Sequence, residues 1–163
     1  MTSIDLRFAR GRLPGADALD GWIDAPGDAG SSAVHGVDLT AVSRPRAVRA
    51  VVHQRMTLLQ LGLIRLPSVR RILIVVRLRE ECDIERACAG VAASAASVHH
   101  RVETARGTAF GIAVLAAPES APARDVRRIV SQGAATVPDG AACVSWDEAR
   151  EWGLRAAVSL QTL

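Results

Sequence analysis

The side chains of this 163-residue sequence that could do chemistry are few and widely spaced. His99 and His100 are adjacent, so on a helix they point about 100° apart and cannot share a metal ion as an i, i+4 pair would. The three cysteines, Cys82, Cys88 and Cys143, are odd in number and lack the C-x-x-C spacing of a metal or redox motif. We therefore predict no metal site, no bound cofactor, and reduced thiols of the kind found in the cytoplasm.

A second set of polar residues falls in the segment 10–36, which is rich in Gly, Pro, Asp and Ser. It holds His35 with Asp24 and Asp28, and Asp38 follows shortly after. Carboxylates beside an imidazole could form an acid/base or divalent-ion site. The same composition is typical of a solvated loop. We favour the loop, and we predict that 10–36 is the most mobile part of the chain.

Charge and motif content exclude several classes of partner. All 20 basic residues are arginines, and the chain lacks Lys, Asn and Tyr, as a GC-rich genome would explain. The net charge is only +3 and the arginines are dispersed with almost no aromatic neighbours, whereas nucleic-acid surfaces combine a basic stripe with stacking aromatics. Glycine-rich phosphate-binding motifs are absent, and no apolar stretch reaches the roughly 18 residues of a membrane-spanning helix. We predict neither a nucleic-acid partner nor a membrane segment.

The elements that must position these residues alternate between strands and helices. Apolar residues spaced three and four apart predict a helix from Ser43 to Leu66. The unbroken apolar run 72–76 predicts a strand buried on both faces. Asp83 caps a second predicted helix with the same spacing. The remaining predicted elements are strands at 3–9, 37–42, 107–117 and 154–161, a helix capped by Ser120 and ending at Gly133, and a helix opened by a Ser145–Glu148 capping box and ending at Gly153.

This alternation is typical of an α/β fold with a mostly parallel central sheet flanked by helices. The length is that of a single compact domain, 1–163, whose core needs no disulfides. Trp146 and Trp152 flank the last predicted helix about 240° apart, so at most one faces the core. The other would cover a groove or a subunit contact, because tryptophan is enriched at interfaces.

Four segments follow one another in an informative order. The stretch SRPRAVRAVVHQRMTLLQLGLIRLPSVRRILIVV contains Arg44-Pro45 and Ser68-Val69-Arg70, and it is followed by RACAG at 86–90, RGTAFG at 106–111 and SWDEAREWGL at 145–154. Together they resemble the crotonase (enoyl-CoA hydratase/isomerase) superfamily. The resemblance implies a site that binds an acyl-CoA thioester, in which two backbone N–H groups form an oxyanion hole. By position, Ala89 or Gly90 would supply one N–H group and Gly111 or Ile112 the other.

The sequence departs from that family where its chemistry resides. Residues 113–117 are apolar where the family carries carboxylates, and Glu119 is the nearest acid. The helical periodicity also places Ala89 and Gly90 inside a helix, where backbone N–H groups are already bonded. We therefore predict a small, catalytically reduced or non-catalytic crotonase-like protein; an active one would be an acyl-CoA lyase or isomerase. The alternative is an α/β interaction or assembly module without small-molecule chemistry, acting as a homo-oligomer or with a protein partner.

Overall fold

Strands and helices alternate along the chain from residue 31 onward. The computed structural model describes residues 8–10, 23–25, 31–65, 67–80 and 82–161. The elements, in chain order, are β1 (Phe8–Arg10), β2 (Ile23–Ala25), β3 (Ser31–Leu39), α1 (Pro45–Arg65), β4 (Val69–Leu78), α2 (Ile84–Arg106), β5 (Gly111–Pro118), α3 (Ala123–Gly133), a short 3-10 helix (Ala134–Thr136), β6 (Gly140–Ser145), α4 (Trp146–Trp152) and α5 (Leu154–Gln161).

The sheet is parallel over its four longest strands, which lie side by side in chain order β3, β4, β5, β6. One row across it joins His35, Ile74, Val114 and Cys143. At the edge, β1 pairs parallel to β3 and β2 pairs antiparallel to it. The predicted α/β class, with a mostly parallel sheet flanked by helices, is confirmed.

Each face of the sheet has its own core. Ile72, Ile74 and Val76 of β4 point to one face and pack with the apolar stripes of α1 and α2. Leu73 and Val75 point to the other face and pack with α3, α4 and α5. Because both faces are covered, the centres of β4 and β5 must be apolar at every position, which explains the unbroken hydrophobic runs 72–76 and 112–117.

The crossovers leave the sheet on different sides. The β4–β5 connection runs through α2 on the first face, and the β5–β6 connection runs through α3 on the second. The strands meanwhile advance across the sheet in one direction. Two such crossovers on opposite faces necessarily have opposite hands, so one of them is left-handed, the hand found in roughly 2% of cases.

The helices predicted from periodicity are confirmed at α1 and α2. The Asp83 carboxylate accepts a hydrogen bond from the Arg86 N–H at 2.9 Å, as a capping side chain should. The Ser145–Glu148 capping box is also present, and α4 ends before Gly153 as predicted. None of the described helices has the length and apolar content that crossing a membrane would require.

Two predictions are wrong in part, the loop over 10–36 and the cap at Ser120. The segment 10–36 is not all loop, since residue 10 ends β1, 23–25 form β2 and 31–36 belong to β3; its other residues, 11–22 and 26–30, lie outside the described ranges. Of the strand predicted at 3–9, only residues 8 and 9 are described, and they belong to β1. Ser120 does not cap α3: Pro122 takes the N-cap position and no side chain caps it. The first part of β3 was not predicted as a strand, because small residues such as Ala33 and Gly36 give it little apolar alternation. Pairing with β4 holds this stretch in the strand conformation.

The C-terminal end differs most from expectation. Residues 154–161 form the helix α5 in place of a strand, because Leu154, Ala157 and Val158 are buried at helical spacing. The segment fits both patterns, because Leu154, Ala156 and Val158 alternate as in a strand while Leu154, Ala157 and Val158 recur at the i, i+3, i+4 spacing of a helix. The edge strand is β6, which went unpredicted because its apolar centre, 141–144, is only four residues long.

Candidate functional site

The carboxyl ends of β4 and β5 form a crevice, because α2 and α3 leave them on opposite faces. Ligands of open α/β sheets bind at such points. Here the crevice holds a cavity of only about 50 Å³, while a pocket for a drug-sized ligand needs roughly 300 Å³. Its lining residues are Val75, Arg77, Ala117, Pro118, Ala121, Ala123, Val126 and Arg127. A CoA thioester does not fit this cavity.

Glu119 is the acid nearest to the positions at which the crotonase resemblance implies carboxylates. It lies in the exposed turn beside this crevice. Its backbone oxygen accepts a hydrogen bond from Nη2 of Arg77 at 2.6 Å. Its carboxylate accepts one from the Glu80 N–H at 3.3 Å. The first contact ties the end of β4 to the turn after β5, and the second ties the loop after β4 to it, so Glu119 acts here as a structural residue of the turn.

The four oxyanion candidates are not brought together. Ala89 and Gly90 lie in the second turn of α2, whereas Gly111 and Ile112 begin β5, which the chain enters only after α2 has ended. From Gly90 to the end of α2 the helix rises by about 24 Å. Gly90 has a packing role, since a Cβ there would stand 2.8 Å from Cδ of Arg49 on α1. The glycine lets the Arg49 side chain lie across α2.

A larger groove lies between α3, α4 and α5, with a volume of about 570 Å³, and we call it the Trp groove. Trp152 at the end of α4 is 47% exposed, whereas Trp146 at its start is 5% exposed and belongs to the core. The prediction that at most one of the two tryptophans faces the core is confirmed. The groove is lined by Arg128, Ile129, Gln132, Gly133, Ala149–Trp152, Gly153–Ala156 and Ser159.

Two glycines fix the shape of the Trp groove. Gly153 has φ 77°, a left-handed conformation that turns the chain sharply from α4 into α5 and favours glycine. Gly133 lies against Leu154, whose Cβ would be 2.8 Å from a Cβ at position 133. The end of α3 therefore packs directly on the start of α5. These contacts fix the positions of α3, α4 and α5, whose residues form the walls of the groove.

The charge of the Trp groove is positive. Arg128, Arg150 and Arg155 line it against one acid, Glu151. The nearest ion pair joins Nε of Arg128 to Oδ1 of Asp125 at 4.0 Å, with both side chains exposed. A pair of that kind is weak, so Arg128 keeps most of its capacity to bind an anionic group.

A second groove, of about 470 Å³, lies on the other side of α4, and we call it the acidic groove. It is lined by Ile84, Glu85, Cys88, Ala89, Ala92, Cys143, Ser145, Asp147, Glu148, Glu151 and Gln161. Four of these residues are acidic and none is basic, although the whole chain carries a net charge of +3. Its floor is made of small apolar side chains of α2, so the carboxylates stand around a non-polar centre.

The thiols at that floor, Cys88 and Cys143, are buried in the core. Cys143 and Cys88 are hydrogen-bonded, and this bond together with burial raises the pKa of Cys143 well above its usual range. Burial likewise raises the pKa of Cys82. All three cysteines are free and buried. Cys88 packs in the core of the first face, as its place in the apolar stripe of α2 predicts.

The histidines do not form a metal site. His99 pairs with Glu103 on its own helix, Nε2 to Oε2 at 3.3 Å, and His100 is exposed. His35 is buried beneath α1, where burial first and the nearby Arg55 charge second lower its pKa to about 4. In the part of the chain that the structure describes, no group of three His, Cys, Asp or Glu side chains has the arrangement of a metal site.

Both large grooves were missed at the level of sequence. Arg128, Arg150 and Arg155 are dispersed along the chain and meet only because α3 crosses to the same face as α5. The available indication was the placement of the two tryptophans around one short helix. Comparison with known proteins found no matching family model, no matching curated protein and no matching solved structure.

Proposed function

We propose that this chain is a protein-interaction module whose Trp groove binds an acidic segment of a protein partner carrying an apolar side chain. The observation that carries the proposal is Trp152, a half-exposed indole at the rim of a groove that three arginines line. Tryptophan and arginine are the residue types most enriched among those that dominate binding energy at protein interfaces.

The physical setting supports this role. Burying the exposed part of a tryptophan side chain removes apolar surface from water, and the arginine stems add further apolar contact while their guanidinium groups stay hydrated. A carboxylate of the partner can accept two parallel hydrogen bonds from one guanidinium. Because the contacts at Gly133 and Gly153 fix the backbone of the walls, little backbone conformational entropy is lost when the groove is filled.

A peptide-display selection on the immobilised full chain tests this function. We expect enrichment of peptides that combine aspartate or glutamate with an aromatic or aliphatic residue. Trp152→Ala should weaken binding of a selected, fluorescently labelled peptide at least tenfold. The matched control is Leu61→Ala on α1, because Leu61 is 57% exposed but lies on the helix of the other face. Equal binding by Trp152→Ala and the unmodified chain would overturn the proposal.

An acyl-CoA is the second candidate ligand. A flat indole beside three arginines could hold the adenine and the phosphates of CoA. Binding would be non-catalytic, because proton transfer needs a positioned acid or base and Glu119 supports a turn. Calorimetric titration with crotonyl-CoA, with a hydration assay beside it, tests this candidate. We expect binding that Trp152→Ala removes and no hydration; absence of binding at millimolar ligand would eliminate it.

We also propose that the protein works in the cytoplasm. Three buried, unpaired thiols support a reducing compartment. Localisation of a tagged full chain by fractionation tests this, and recovery in an oxidising compartment would contradict it.

A further inference from the structure

We infer that a second copy of this chain occupies the Trp groove, in a twofold homodimer centred on α4 in which the Trp groove of each copy lies on the acidic groove of its partner. This inference rests on the proposed function and names its occupant. It follows from the positions and the charges of the two grooves.

The two grooves flank a single helix of two turns. Glu151 of α4 lines both of them, and α4 is the wall that separates them. In a twofold contact, residue i of one copy meets residue j of the other and the reverse. A twofold axis through the middle of α4 exchanges its two sides, so it places each Trp groove over the partner's acidic groove, and the pairing occurs twice. A contact that is made twice closes, so it yields a dimer and not a growing chain.

Charge selects this arrangement. The acidic groove has four carboxylates and no basic lining residue, and the Trp groove has three guanidinium groups against one carboxylate. Placing like groove on like groove would bring arginines against arginines. Placing each on its opposite brings Arg128 and Arg155 towards Glu85 and Asp147. Complementary charge of this kind fixes the orientation of two surfaces and suppresses other ones.

The apolar lining of the acidic groove agrees with the charges. Ile84, Ala89 and Ala92 make its floor apolar. Arginine stems are long and apolar and can lie along such a floor while the guanidinium groups reach the carboxylates on its rim. The exposed Trp152 would be covered at the centre of the contact, where interface tryptophans contribute most.

Charge reversal on the full chain tests the dimer. The first variant, R128E/R155E, reverses the Trp groove, and the second, E85R/D147R, reverses the acidic groove. By sedimentation velocity at about 0.05 M salt, we expect the unmodified chain to be dimeric and each variant alone to be monomeric, with a dissociation constant raised at least tenfold. An equimolar mixture of the two variants should form a one-to-one heterodimer, because one of its two contacts then has both charges reversed and the other keeps the original charges, so both contacts are complementary.

Three controls make the outcome decisive. Thermal melts show whether each variant is folded. If E85R/D147R is not, E85Q/D147Q replaces it as the single variant that should be monomeric, and the mixture is made with E85R, which still reverses a charge of the acidic groove. Salt at about 0.5 M should dissociate the dimer of the unmodified chain, because it screens exposed charges. A monomeric unmodified chain, a mixture of variants that stays monomeric, or species that grow beyond a dimer would each overturn the inference. Acidic peptides that bind a monomeric chain through Trp152 would leave the proposed function standing without the dimer.

Discussion

The carbonyl oxygen of Pro138 lies 2.5 Å from the point where a Cβ on Gly111 would stand. Gly111 is the first residue of β5 and pairs with Gly140, the first residue of β6. The Gly140 N–H donates a hydrogen bond to the backbone oxygen of Phe110, the residue before Gly111, at 3.2 Å. The beginnings of β5 and β6 approach each other so closely here that only the hydrogen atom of a glycine fits at position 111. The structure thus gives Gly111 a packing role at the site where the crotonase resemblance would place an oxyanion donor.

Gly111→Ala should destabilise the domain by about 3 kcal/mol, because the obstacle is backbone and cannot rotate away. Gly107→Ala is the matched control: nothing lies within 4 Å of its Cβ, but its φ of 65° costs a non-glycine residue roughly 1 kcal/mol. Urea denaturation of both variants measures the difference. A loss for Gly111→Ala no larger than that for Gly107→Ala would contradict the close approach.

Val75→Asp should unfold the domain. Val75 is fully buried on the face of β4 that packs under α3 and α5, and an unpaired carboxylate there would lose its hydration. Arg70→Asp changes an exposed residue of the same strand and should keep a cooperative melt. Circular dichroism melts distinguish the two variants, and near-normal stability of Val75→Asp would refute the two-sided burial of β4.

Ser145→Ala should lower the free energy of unfolding by about 1 kcal/mol, since it removes the capping box of α4. In that box the Glu148 N–H donates to Oγ of Ser145 at 3.3 Å, and the Ser145 N–H donates to the Glu148 carboxylate at 2.8 Å. Ser120→Ala is the comparison, because Ser120 caps no helix and should cost less than about 0.5 kcal/mol. Equal losses in chemical denaturation would show that the box adds nothing.

Stability should fall in mild acid because of His35. Its pKa is 6.5 in an unfolded chain and about 4 in the folded protein. Below about pH 6.5 only the unfolded state takes up the proton, so the free energy of unfolding drops by up to about 1.4 kcal/mol per pH unit until pH 4, roughly 3 kcal/mol in all. His35→Gln should lose this dependence, while His100→Gln on the exposed surface should retain it. Denaturation midpoints between pH 7 and 4 measure both, and an unchanged slope in His35→Gln would disprove the assignment.

Elements whose pattern is set by local spacing were predictable. The stripe of α2 from Cys88 to Val102 fits only a helix, and the run Ile72–Val76 in β4 fits a strand covered on both faces. Residues 154–161 and 31–36 were not predictable, because the apolar positions of each segment fit more than one kind of element. Packing and strand pairing in the folded domain determine which element forms. Of the candidate site, the sequence predicted only that either Trp146 or Trp152 would lie at a groove or a contact. Arg128 and Glu85 acquire their roles from which face each crossover takes, and local sequence does not encode that choice.

The change of face after β5 bears on how the chain folds. Since β3, β4 and β5 are neighbours in both sequence and space, they can pair in the order of synthesis beneath α1 and α2. The segment from α3 to α5 must then travel round the sheet edge before it can dock on the opposite side. We expect this segment to behave as a cooperative unit that opens before the rest, visible as a common, lower free energy of amide hydrogen exchange for α3, α4 and α5. Both grooves border that unit, so a ligand or partner bound in either groove would also stabilise the unit against opening.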